Sequence, residues 1–387
     1  MSALPGDDTD SLSDLRSRLL RNSRRYRRLK RTGRPGKPQA MSIEITQRCI
    51  AKCVMCGIWR APASTPDLEL AQWLALLSHP LVSDLRELDV TGGEPFLKEE
   101  LPDLISAVGE LAQTNLGRLR SVAITTNGLL TGIVLRNTER MATELAKAGL
   151  ELVIVCALDA VGPLHDEIRG VPRAWQRLEE TLAGLKSLRV THQNLILGHK
   201  TTVLPCTVGE LDRIAAYAEA NGLFSIISPF ITTGGRYLNN DLREKLVFSD
   251  DDRAAMLRFF RGSSSGWDYH SKALAGYLET GRMRKPCSCG FNYFFVRSTG
   301  QVLPCPLLTE DIGNLRDTDI GDLWTSDKAS RLRRGTGDFP ECRHCTEPGL
   351  ERFALPFEGS EYLSLMRDLG REDFLRAHKH MGLDKYL

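Results

Sequence analysis

From residue 41 onward, short runs of apolar and β-branched residues alternate with longer stretches whose apolar positions recur every three to four residues. That alternation is the pattern of parallel βα units. It predicts six strands, at 41–46, 86–90, 119–125, 151–158, 194–204 and 223–228, and helices between them at 68–77, 99–112, 134–148, 173–188 and 208–221. Right-handed crossovers would wind these units into a partial, open (β/α)6 barrel. After residue 230 the pattern changes. Two helices are predicted, at 251–260 and 269–279, then a hairpin at 291–304 turning at Ser298-Thr299-Gly300, and a helical tail over 361–383. The expected organisation is a basic extension (1–40), a barrel (41–235), linking helices (236–285), a small cysteine-rich domain (286–350) and a C-terminal helical tail (351–387).

In βα architectures the loops that follow the strands gather at one face, where backbone groups and helix N-termini are free to bind ligands. Cys49, Cys53 and Cys56 follow the first predicted strand, Gly92-Gly93-Glu94-Pro95 the second, Thr126-Asn127-Gly128 the third and Asp159 the fourth. The stretch Cys49-Ile-Ala-Lys-Cys53-Val-Met-Cys56 offers three thiolates, enough for three irons of a 4Fe-4S cubane with the fourth iron left open. Zinc is the rival, but its structural sites close with four ligands and no fourth lies nearby.

Composition changes the picture little. The 387 residues are 42% hydrophobic and 26% charged, as in an ordinary globular protein. No apolar run reaches the roughly 20 residues of a membrane-spanning helix, and the acidic start, with Asp7, Asp8, Asp10 and Asp14, does not read as a secretory signal. A cytoplasmic protein is expected, with its ten cysteines reduced or bound to metal. Charge is uneven: residues 1–40 carry a balance of +7 within a net +2. The basic run at 16–37 reads as a solvated helix or tail, or as an arm for an anionic partner. Nothing around it resembles a nucleic-acid module.

The CxxxCxxC spacing, with Met55 before its last cysteine, resembles the signature of the radical S-adenosylmethionine (radical SAM) superfamily, and the likeness extends over residues 41–230. It implies a cluster held by Cys49, Cys53 and Cys56 whose open iron chelates the methionine end of SAM. Reductive cleavage would then yield a 5'-deoxyadenosyl radical that abstracts hydrogen from a substrate. The resemblance also implies that Gly92, Gly93 and Glu94 receive the methionine ammonium, that Asn127 contacts the ribose or methionine end, and that Arg169, in His165-Asp166-Glu167-Ile168-Arg169-Gly170, pairs with the cofactor's carboxylate. Ser228-Pro229 falls where the family meets adenine. An external donor of flavodoxin or ferredoxin type is the implied electron source.

Cys287, Cys305, Cys342 and Cys345 resemble the ligands of a SPASM/twitch extension, implying a second, closed 4Fe-4S cluster, with zinc as the alternative metal and Cys289 left over. No cysteine follows Cys345, which suits the one-cluster twitch type. Cys156 reads as core, and Cys206, after the fifth strand, as a weak candidate for returning hydrogen to a substrate radical. His344, His378 and His380 show no partner in the sequence.

The closed second cluster favours oxidation of a small natural-product or sugar-type substrate, as in the twitch-containing dehydrogenases. Maturation of a ribosomally made peptide by crosslinking, epimerisation or decarboxylation is the alternative, with residues 16–37 as the candidate leader contact. A non-catalytic iron-sulfur or zinc protein that binds nucleic acid is the rival from another class, and it leaves Gly92-Gly93-Glu94-Pro95 unexplained.

Overall fold

The computed structural model describes residues 12–61, 66–262, 268–347, 349–378 and 385. The acidic positions Asp7, Asp8 and Asp10, His380 and the end of the expected tail lie outside the described residues.

All six expected strands are present: β1 (Ala40–Glu44), β2 (Glu87–Thr91), β3 (Ser121–Thr126), β4 (Glu151–Ala157), β5 (Leu195–Val203) and β6 (Phe224–Pro229). They are parallel and pair in chain order. Helix α1 (Leu12–Thr32) precedes them, and α2 (Leu70–Ser78), α3 (Leu101–Leu111), α4 (Thr131–Lys147), α5 (Leu164–Arg169), α6 (Ala174–Thr191) and α7 (Leu211–Ala220) lie between or after them. Strand β1 is buried at every position, as befits a parallel strand covered on both faces. Its neighbours and the inner faces of α2 to α4, α6 and α7 form one continuous core that includes Trp73, Leu104, Met141, Ile154, Leu182 and Ile214.

The six strands do not close on themselves. Beyond α8 (Asp250–Gly262) and α9 (Asp268–Thr280), strand β7 (Tyr293–Val296) pairs in parallel with β1. Strands β8 (Gln301–Leu303) and β9 (Gly313–Asn314) continue outward antiparallel. The result is an open nine-stranded sheet in the order β6-β5-β4-β3-β2-β1-β7-β8-β9. The physical reason lies at β1, whose free edge carries unpaired backbone groups that need a partner. The all-buried Tyr293-Phe-Phe-Val296 supplies one, and Tyr293 adds a hydroxyl bond to Ser42 Oγ at 2.9 Å.

The remainder is helical: α10 (Ile320–Thr325), α11 (Asp327–Arg334), α12 (Gly349–Ala354), α13 (Gly359–Leu369) and α14 (Arg371–His378). The basic segment is not a free tail. Leu19 and Tyr26 turn one face of α1 into the structure, Leu19 packing with Leu355, Tyr362, Leu365 and Phe374, and Tyr26 with Phe291 and Phe357. Arg16, Arg21, Arg24, Arg25, Arg27, Arg28 and Arg31 stay on the exposed side. No helix of the described residues is long and apolar enough to cross a membrane.

Candidate functional site

The loop after β1 carries the first three cysteines and is held from two sides. Lys52 and Val54 donate backbone bonds to the carbonyls of Arg169 and Ile168, both at 2.9 Å. Gly57 donates to Tyr237 O at 2.7 Å, and Asn239 Nδ2 to Met55 O at 2.8 Å. The turn after β2 passes hard against the start of this loop. Gly93 N donates to Thr46 O and Glu94 N to Arg48 O, each at 2.8 Å. A Cβ on Gly92 would lie 2.4 Å from Thr46 O, and one on Gly93 2.3 Å from Arg48 O, so only glycine fits this approach.

These loops enclose a cavity of about 170 Å³ lined by Cys49, Cys53, Met55 and Cys56, by Gly92 and Gly93, and by Asn127 and Arg169. Ser228 and Pro229 are also in its wall. Two donors already face the sulfurs: Asn127 Nδ2 is 3.9 Å from Cys49 Sγ, and Arg169 Nη1 is 3.7 Å from Cys53 Sγ. Burial pushes the Cys49 thiol up to about 12 and the Cys56 thiol up to about 11. Thiols so desolvated become thiolates only beside a metal cation, which is the chemistry of a cluster site. Among the described residues no three His, Cys, Asp or Glu side chains converge as a ready-made single-ion site. The three-thiol wall with open space beside it suits a cluster better than a lone zinc.

Glu94 is placed one layer behind the cavity. Fully buried, it accepts from Thr126 Oγ1 at 2.8 Å, Asn127 N at 2.7 Å and Phe96 N at 3.1 Å. Burial lifts its carboxyl to about 7 against these hydrogen bonds. Its visible work is to tie the turn after β2 to the turn after β3. Arg169 is ion-paired with the fully buried Asp159, whose Oδ1 accepts from Thr202 N at 2.9 Å. Gly170 caps this helix at φ 62°, and Lys52 O would lie 2.7 Å from a Cβ there. Cys206 is exposed in a turn of 3-10 helix after β5 and is not part of the cavity wall. Cys156, a residue of β4, is core.

Four titratable residues of the wall escaped the sequence reading: Lys200, Arg236, Tyr237 and Glu347. Glu347 Oε1 lies 3.3 Å from Lys200 Nζ, and Tyr237 OH donates to Oε2 at 3.4 Å. Burial would raise the Glu347 carboxyl, but the cations Lys200, Arg236 and Lys285 outweigh it and hold the group near 2. Glu347 follows Cys345 by two residues, and Thr346 Oγ1 donates to Pro229 O at 2.9 Å. The end of the second cysteine region thus contributes to the wall of the first cavity. Lys200, near the end of β5, was the one member that strand position could have flagged.

The second cysteine set lines its own cavity of about 450 Å³, and Cys289 stands in that wall with Cys287, Cys305, Cys342 and Cys345. Helix α1 supports it, since Tyr26 OH donates to Cys287 O. Leu307 N donates to Cys305 Sγ at 3.4 Å, and Thr336 Oγ1 to Cys289 O at 3.1 Å. Five thiols here exceed the four that a closed cubane takes. His344 is exposed and meets Tyr277 at its ring edge.

Residues 43–204 match the model of the radical SAM superfamily, and residues 287–346 that of SPASM, an iron-sulfur cluster-binding domain. The chain thus carries a radical SAM domain followed by a SPASM domain. Its two domains imply a 4Fe-4S cluster with SAM in the barrel and auxiliary iron-sulfur in the SPASM domain. Among curated relatives, a PqqA peptide cyclase of Xanthomonas axonopodis pv. citri is 25% identical over 320 residues, 80% of each chain. An AdoMet-dependent heme synthase of Oleidesulfovibrio alaskensis is 27% identical over 332 residues, 78% of each. Among solved structures, Streptococcus suis SuiB bound to its precursor peptide SuiA superposes with a TM-score of 0.57 at 17% identity, covering 86% of this chain and 74% of that one. At that identity the likeness is one of fold.

Proposed function

We propose that this radical SAM enzyme modifies a ribosomally made peptide, and that its two cysteine sets serve a single reaction chamber. The observation that carries the reading is the relationship to the peptide cyclases, which extends over 320 residues and 80% of both chains. It favours a peptide over the small natural-product or sugar-type substrate that the closed second cluster first suggested.

When bound, the cluster and SAM supply a hydrogen-abstracting carbon radical. The chain's own residues do the rest. Cys49, Cys53 and Cys56 would hold the cluster, and Gly92 and Gly93 would bring backbone close to the cofactor. Asn127 and Arg169 direct donors at the cysteine sulfurs, and such bonds to sulfur raise a cluster's potential. Glu347 and Thr346 form the wall of the chamber on the SPASM side. Cys287, Cys305, Cys342 and Cys345 would hold the auxiliary cluster.

The test is anaerobic incubation of the reconstituted enzyme with SAM, dithionite and small peptides encoded beside its gene, followed by mass spectrometry. Loss of two hydrogens from a peptide, or deuterium uptake from heavy water, together with 5'-deoxyadenosine that a Cys49→Ala variant does not make, is the expected result. 5'-Deoxyadenosine without change in any peptide would remove the peptide reading. Turnover of a tetrapyrrole instead would favour a reaction like that of the heme synthase relative.

A further inference from the structure

Three cations line the chamber, and two have carboxylates. Arg169 is paired with Asp159, and Lys200 with Glu347. Arg236 is the exception. Its Nη2 donates to the hydroxyl of Thr91 at 3.0 Å, and no carboxylate of the described residues lies within ion-pair distance of it. The guanidinium lies over the rings of Tyr237 and Phe295, 5.2 and 5.5 Å from their centroids, which fixes its plane. Its backbone is equally constrained. Tyr237 O receives Gly57 N, and a Cβ on Gly57 would lie 2.1 Å from Leu238 O, so the segment is pressed directly on the cysteine loop.

Glu347 and Glu44 favour the charge of Arg236 from a distance, but neither is bonded to it, so most of its donors remain available to an arriving anion. The planar fork of the guanidinium is suited to a carboxylate through two parallel bonds. Arg236 and Lys200 also line a second, inner cavity of about 90 Å³ on the far side of this wall, among Asp89, Ala123, Val153 and Tyr293. Cys49, Gly92 and Gly93 border only the outer cavity.

We propose that Arg236, with Lys200 beside it, forms a subsite that receives a carboxylate of the substrate, so that the segment entering the chamber carries an acidic side chain or a free C-terminus. This rests on the peptide reading for the nature of the chain that bears the carboxylate. SAM also has a carboxylate, and the two sources are separable by experiment.

The reconstituted full-length enzyme is treated anaerobically with phenylglyoxal, which modifies accessible guanidinium groups, and adduct formation at Arg236 is followed by mass spectrometry. Glutarate, SAM, and decapeptide pools containing either glutamate or glutamine at the varied position are tested as protectants. Glutarate and the glutamate pool should protect Arg236, whereas SAM and the glutamine pool should not. In Arg236→Gln, binding of the glutamate pool should fall by about tenfold, the loss expected for a charge-assisted hydrogen bond, with SAM affinity and iron content retained. Protection by SAM alone, with weakened SAM binding in the variant, would assign the guanidinium to the cofactor and overturn the proposal. Absence of protection by any of the four would overturn it as well. Protection by glutarate but by neither pool would leave the carboxylate subsite standing and remove the peptide reading.

Discussion

Glu347 shows how much one side chain can connect. It is buried, yet Lys200, Tyr237 and the nearby cations hold it ionised, with its carboxyl near 2 rather than at the ordinary 4.5. A carboxyl lowered by folding stabilises the native state above its ordinary value, and that contribution disappears as pH falls through the native value. The stability difference between wild type and Glu347→Gln should therefore be about 3 kcal/mol near neutral pH. It should close as pH drops from about 4.5 toward 2. Denaturant titrations of both proteins across that range check it, and a pH-independent difference would contradict it. The cysteines and glycines around this group were legible in the sequence because their spacing carries the chemistry. Glu347 and Arg236 were not, since an isolated charged residue outside a strand end has no local pattern that separates a cavity wall from a solvated surface.

At the level of elements, α1 departs furthest from its sequence reading. Its run of arginines looks like a solvated arm, but Leu19 and Tyr26 bury one side of the helix against residues more than 260 positions away. Leu19 is fully buried. Leu19→Ala should cost about 2–5 kcal/mol, the range for a large-to-small change in a packed core, measurable by urea unfolding. A change below about 0.5 kcal/mol, as at surface sites, would show that α1 is not integral to the fold. The barrel strands behaved differently. Each observed strand lies within two residues of its sequence-derived position, because consecutive parallel strands are joined by short-range βα units whose periodicity is visible locally.

On the scale of the whole molecule, the C-terminal region both extends the sheet and fills its interior. Arg352 of α12 reaches under the barrel to pair with Glu87 and Asp89 of β2, the latter at 3.1 Å. Burial, partly offset by Arg352, lifts the Asp89 carboxyl to about 6. Replacing Arg352 with methionine strips the cation from two inward-facing carboxylates and should destabilise the protein by about 3–5 kcal/mol. Adding Glu87→Gln to that variant should recover part of the loss, because the stranded charge goes with it. Calorimetry on the single and double variants measures both, and equal stability of the two would disprove the pairing.

The sequence by itself determined the order of the βα units, the face on which the functional loops gather and the two cysteine sets. Those features rest on periodicity and on residues close together in the chain. Only the tertiary structure decided that the open sheet is extended through β7, that Cys289 joins the second thiol wall, and that Glu347 and Arg236 enter the first cavity. Each of these depends on contacts between distant segments, and such contacts leave no repeat or spacing in the chain from which to read them.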